Sequence, residues 1–155
     1  MTDGSAVPAA AIEVPLLPLE GAVHLPEPAH PGDAGCDLFA REDARLRAGG
    51  GRALVRAGFA MELPEGTAAL VLPRSGLAIR HGITCLNAPG LVDPSYRGEV
   101  GVILVNTDPS EDYEVRRGDR IAQLLVVRPE VVSFVVSGEL SPTRRGDGGF
   151  GHTGR

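Results

Sequence analysis

From about residue 12 to Ser137 no apolar pattern holds helical spacing for longer than roughly two turns, and that excludes a helical architecture. The chain offers short β-type runs instead: "GCDLFA", "GRALVRAGFAMEL", "TAALVLP", "ITCLN", "GEVGVILVN", "YEVRRGDRIAQLLVV" and "EVVSFVV", each cut off by Gly, Pro, Asp or Asn. Short strands at this spacing predict an all-β sandwich, barrel or jelly roll. "RSGLAIRHG" is the one place for a short helix or turn, and there are no repeats or heptads. A length of 155 residues suits one domain with a good core. Residues 1–11, small and turn-rich, are expected to be a disordered leader, with order beginning at "IEVPLLPL" and the β domain filling 12–137. From residue 138 to 155 glycine and charge replace apolar residues, so this tail should stay mobile until a ligand or partner orders it.

The charge balance, 15 basic against 20 acidic residues and a net −5, argues against a general nucleic-acid or anionic-membrane binder. Any bound anion must meet a local basic site. Every basic residue is Arg, which removes the P-loop lysine and Schiff-base chemistry and leaves guanidinium forks and backbone amides for phosphate. A coding bias of the genome explains the missing Lys equally well. Cys36 and Cys85 are too few for a disulfide framework and lack zinc spacing, and the four histidines form no ligand pattern, so packing thiols in a reducing compartment are expected. Runs such as "IAQLLVV" fall far short of a membrane span, and no charged segment precedes an apolar one at the N-terminus, which predicts a cytoplasmic protein. "RGD" occurs twice, but nothing suggests secretion and an adhesion role is set aside.

The end of the chain, "RRGDGGFGHTGR", contains Gly146-x-Gly148-x-x-Gly151, the spacing of a dinucleotide fingerprint. That fingerprint opens a helix, and only four residues follow Gly151. Four other stretches are too rich in special residues for plain turns. In "PRSGLA" (73–78) Ser75 has no nucleophile elbow around it, while Arg74, the Ser75 hydroxyl and the Gly76 amide make a sensible anion nest. In "NAPGLVDPSYRGEVGVILVN" (87–106) the "DPSY" turn presents the best candidate base, Asp93, with an aromatic ring three residues on. "AGCDLFA" (34–40) holds a carboxylate in a strand, and "RRGDRIAQLLV" (116–126) reads as a turn and a buried strand.

In order and rough spacing these five stretches resemble the five motifs of the trimeric dUTPases, over the chain from about residue 12 to its end. The resemblance implies a distorted jelly-roll subunit of the β-clip kind and a homotrimer with active sites shared at subunit interfaces. It implies hydrolysis of dUTP to dUMP and pyrophosphate, keeping uracil out of DNA and supplying dUMP for dTMP synthesis. Asp93 would orient and deprotonate the attacking water. Arg74, Ser75, Gly76, Gln123, Arg145 and Thr153 would hold the phosphates, with Arg120 and Asp119 bracing the site. Asn87, Gly90, Val92, Tyr96 and Phe150 would hold the nucleoside: Asn87 reading the uracil edge, Tyr96 under the deoxyribose where a 2′-hydroxyl clashes, Phe150 stacking on the base. Asp37 would hold a water of the shell of a Mg²⁺ carried mainly by the triphosphate. The Gly-rich tail becomes a lid closing over a neighbouring subunit's site.

Three departures from the family's usual pattern stand out: Pro94 within "DPSY", Cys36 before Asp37, and His152 in place of the usual serine after "GGFG". Two rivals follow from the same residues. A dCTP deaminase should carry a second Ser instead of Gly76, and a non-catalytic nucleotide-binding protein should have lost Asp93 or Arg145; this chain retains all three.

Overall fold

Glycine and proline keep the strands short, and the architecture is correspondingly all-β. A computed structural model of the chain describes residues 11–144, 146 and 147. In chain order the elements are β1 (Leu16–Pro18), β2 (Glu27–Pro28), β3 (Cys36–Phe39), β4 (Ala44–Leu46), β5 (Arg52–Arg56), β6 (Phe59–Met61), β7 (Ala68–Leu72), α1 (Ser75–His81), β8 (Ile83–Cys85), β9 (Gly90–Val92), β10 (Gly101–Asn106), β11 (Tyr113–Val115) and β12 (Arg120–Val127). They form a five-stranded sheet in the order β2-β3-β12-β7-β9, a three-stranded sheet β5-β10-β8, and the pairs β1-β6 and β11-β4. The pairings in the sheets are antiparallel.

The inward residues of these sheets make one core, with Leu38, Leu46, Val55, Phe59, Leu104 and Ile121 almost wholly excluded from solvent. β5 shows the alternation that places a strand between core and solvent: Val55 is buried while Leu54 and Arg56 face out. "RSGLAIRHG" forms the helix α1, which buries only Leu77.

β12 is the middle strand of the large sheet and carries an irregularity that matters for function. Its pairing with β3 slips by one residue between Arg120 and Ala122, so that Arg120 faces Phe39 and Gln123 faces Asp37. In a regular strand residues three apart point to opposite faces. The extra residue, a β-bulge at Ile121, puts Arg120 and Gln123 on the same face, that of Asp37.

One expected strand does not form. "EVVSFVV" runs without secondary structure, with Val131 and Phe134 exposed at 96% and 95%. A strand needs a ladder partner, and this segment pairs with no strand among the described residues.

Asn106, completely buried, ties β10 to the end of β4 and to the loop before β11: its amide nitrogen donates to the carbonyls of Leu46 (3.1 Å) and Glu111 (2.8 Å), and its oxygen accepts from the Asp108 amide (2.9 Å). Removing it strands buried polar groups, each worth about 1–3 kcal/mol. Asn106→Ala should therefore lower stability by about 3 kcal/mol, read as a fall in the denaturation midpoint; a loss below about 1 kcal/mol would contradict this bonding role.

Candidate active site

Asp37 sits on β3, 4% exposed, where a lone carboxylate would be costly. Three side chains compensate it. Arg120 Nη1 lies 3.2 Å from Oδ2, Arg74 Nε lies 3.6 Å from Oδ1, and Gln123 Nε2 donates to Oδ1 at 3.4 Å. Arg74 also donates from Nη1 to the Arg120 carbonyl at 2.9 Å, which ties the segment before α1 to the bulged end of β12. Ser75 follows on the first turn of α1 with its side chain exposed, and Gly76 next to it is half-buried. Two guanidiniums beside one buried carboxylate offer more N–H donors than it can accept, which suits an anion. Asp119 stays out of it, its carboxylate accepting from the Arg116 amide in its own turn at 2.8 Å.

The second group of expected residues lies around β9, the edge strand next to β7. Gly90 is buried opposite Val71; a Cβ there would come within 3.2 Å of Asn87 Nδ2 and 3.3 Å of Val71 Cβ, so the bare backbone is what lets Asn87 lie close. The peptide bond between Ala88 and Pro89 is cis. After β9 the chain turns at Asp93, with the Tyr96 amide donating to the Asp93 carbonyl at 3.1 Å. Val92, Asp93 and Tyr96 line a cleft of about 210 Å³ with Leu91, Val100 and Gly101.

Gly90 lies one row from the Leu72–Gln123 pair, but Asp93 and its cleft do not meet the Asp37 corner. Val92 pairs with Ala69, whereas Gln123 pairs with Leu72 and Asp37, so Asp93 leaves the sheet at the opposite end of β7 from Arg74. Four residues along a strand and two strand spacings across separate the main chains of Asp93 and Gln123 by about 16 Å. Their side chains do not reach toward each other: Gln123 is turned to Asp37, and Asp93 lines the Tyr96 cleft. Arg145, Phe150 and Thr153 lie outside the described residues.

The dUTPase family model matches residues 22–154, nearly all of this arrangement and the tail beyond it. The chain belongs to the dUTPase family. Deoxyuridine 5′-triphosphate nucleotidohydrolase of Thermobifida fusca is 54% identical over 143 residues, covering 92% of this chain and 79% of that one. The enzyme of the same name from Mycobacterium leprae is 52% identical over 141 residues, covering 88% and 91%. Among solved structures, the dUTPase of Staphylococcus bacteriophage 80alpha with dUPNHPP superposes with a TM-score of 0.80 at 26% identity, covering 92% of this chain and 99% of that one. A mutant dUTPase from phage phi11 of S. aureus, described for its coordination of a structural Mg(II) ion, gives 0.72 at 24%, covering 82% and 97%. The all-β jelly-roll expectation thus holds.

For a dUTPase family member the sequence left one feature of the site hidden. Arg120 was expected only to brace the site, and its ion pair with the buried Asp37 exists because of the bulge at Ile121, which has no sequence signature. Among the described residues no group of three or more His, Cys, Asp or Glu could hold a metal ion, and the carboxylate nearest Asp37 in the sheet register is that of Glu27 on β2. The Asp37 carboxylate has about four lone-pair sites, of which three face Arg74, Arg120 and Gln123, leaving room to accept from one water.

The neighbouring thiol reports on this corner. Burial, and secondarily the Asp37 charge, push the Cys36 thiol above its ordinary range; burial alone pushes Cys85 up to about 11. A raised pKa means little thiolate until the pH climbs. Iodoacetamide should alkylate the half-exposed Cys36 before the buried Cys85, and Asp37→Asn should speed Cys36; the reverse order, or a slower Cys36 in Asp37→Asn, would contradict the assigned causes.

Proposed function

We propose that this chain hydrolyses dUTP to dUMP and pyrophosphate by attack of water on the α-phosphorus, in sites shared between the subunits of a cytoplasmic homotrimer. The observation that carries the reading is the division of one family's site residues into a phosphate-suited corner at Asp37 and a nucleoside-suited cleft at Asp93, at opposite ends of β7. Attack requires water and phosphorus within about 3–3.5 Å of each other. A second copy that brings its Asp93 cleft to the first copy's Asp37 corner meets that requirement. The exposed apolar segment from Val131 to Val136 supports the oligomer, since a stretch so devoid of cover in one chain is suited to burial against another.

In this reading Asn87 takes the uracil edge, and the close backbone from Ala88 to Gly90 leaves no space for a 5-methyl group. Tyr96 lies beneath the deoxyribose, with Val92 completing the wall. Asp93 holds the attacking water and accepts its proton. Arg74, the Ser75 hydroxyl, the Gly76 amide and Gln123 hold the phosphate oxygens, and charge developing on them meets donors already oriented by Asp37. Arg145, Thr153 and Phe150 act from the tail, the first two on the terminal phosphate and the ring on the base. Mg²⁺ enters as part of the triphosphate substrate, where it neutralises charge on the phosphate oxygens. Asp37 accepts from a water of the ion's shell.

The test is pyrophosphate release from dUTP, dCTP, dTTP and UTP with Mg²⁺. Release should come from dUTP, fall about 10²–10⁴-fold in Asp93→Asn, and fall severely in a chain ending at Arg144. Binding of dUTP without release would make this a nucleotide-binding protein, and ammonia from dCTP a deaminase.

A further inference from the structure

We propose that Glu99 is a positioning residue for Tyr96, and through it a determinant of discrimination between deoxyribose and ribose; the inference rests on the reading of dUTP as substrate. Glu99 lies just before β10, and its carboxylate is 10% exposed. Both of its oxygens are engaged. Oε1 accepts from the Gly58 amide (3.0 Å) and lies 3.0 Å from Arg41 Nε, while Oε2 accepts from Arg56 Nη1 (3.1 Å). The main chain next to it is held at the same corner, between β5 and β6: the Ala57 amide donates to the Val100 carbonyl and the Val100 amide to the Phe59 carbonyl, both at 2.9 Å. Residues 99 and 100 are therefore pinned to the core by side chain and backbone together.

What this anchor holds in place is the Tyr96 ring. Its hydroxyl donates to the Glu99 carbonyl at 2.9 Å, which folds the ring back over Gly98. A Cβ on Gly98 would stand 2.5 Å from Tyr96 Oη and 2.7 Å from Cζ, so the ring occupies space that any side chain at 98 would take. Tyr96 is nevertheless 45% exposed and lines the Asp93 cleft with no buried bed of its own. A ring so open has many rotamers available unless something fixes its tip. The fixed point is the Glu99 carbonyl, and the ion pairs to Arg41 and Arg56 keep that carbonyl still. A ring free to swing would tolerate a 2′-hydroxyl that a fixed ring rejects, because rejection by exclusion needs a wall that does not yield.

The experiment uses the full chain and a property of its composition: it contains no Trp and two Tyr, so in a Tyr113→Phe background Tyr96 is the sole phenol. Glu99→Gln keeps size and removes the charge. It should cut the near-ultraviolet dichroism of Tyr96 to less than about half, as expected of a ring released into several rotamers. It should also lower the ratio of kcat/KM for dUTP over UTP by roughly tenfold, through faster UTP turnover and a higher KM for dUTP with kcat for dUTP within about threefold. Tyr96→Phe, which removes the hydroxyl and leaves the anchor, should shift selectivity in the same direction. Arg56→Gln, at the half-exposed partner, gives a milder version should Glu99→Gln fold poorly. A lowered melting temperature with unchanged Tyr96 dichroism and unchanged selectivity would overturn the proposal and leave Glu99 a structural ion pair. If the parent chain turns over no dUTP, the functional reading fails by itself, and the Tyr96 dichroism alone decides the positioning.

Discussion

The buried carboxylate of Asp37 is the point on which the phosphate side of this fold depends. A charge so deeply placed is tolerable only where cations and donors surround it, and two separate parts of the chain converge to supply them: the segment before α1 through Arg74, and β12 through Arg120 and Gln123. The convergence needs the bulge at Ile121, without which Arg120 and Gln123 would point to opposite faces of the sheet. A bulge, a buried acid and two arginines thus build a single object. It is a corner whose guanidiniums and amide are held in place by Asp37 before any ligand arrives.

Along the edge of the sheet the chemistry is of a different kind. Around β9 the chain relies on close backbone approach, at Gly90 beside Asn87 and at Gly98 beside Tyr96, rather than on buried charge. The Glu99 ion pairs lie one layer behind, where they hold backbone rather than ligand. This division of labour suits a site assembled from two surfaces. Each half is preformed by its own local network, so joining them requires little reorganisation and positions water and phosphorus by rigid docking. The apolar stretch after β12 is exposed in the single chain, which fits the proposed homotrimer.

Much of this was legible in the residues, for physical reasons that differ from place to place. Interrupted apolar runs revealed the strands because pairing and burial impose a period of two, and "RSGLAIRHG" revealed its helix because Gly82 ends it. The run "EVVSFVV" misled for the same reason: it has strand composition, but a strand also needs a neighbour, and composition does not say whether one is present in the same chain. Very short elements such as β4 and β9 carry too few residues to show a period. For the site, residue types were readable and their grouping was not. Asp37, Arg74 and Gln123 are far apart in sequence and adjacent in space, whereas Gly90 and Asp93 are three residues apart and leave β7 at different ends, Gly90 beside Val71 and Asp93 beyond Ala69.

The division of the site between subunits is tested most directly by mixing two inactive chains. Asp93→Asn lacks the proposed base and Arg74→Ala the proposed phosphate arginine; co-refolded in equal amounts, chains of the proposed homotrimer would mix into trimers that native mass spectrometry can count. If each site takes its base from one copy and its phosphate corner from another, mixed trimers contain sites with both residues intact, and dUTP turnover returns that neither parent shows. If mixed trimers form and turnover stays at the level of the parents, each site lies within one chain and the shared-site reading is wrong.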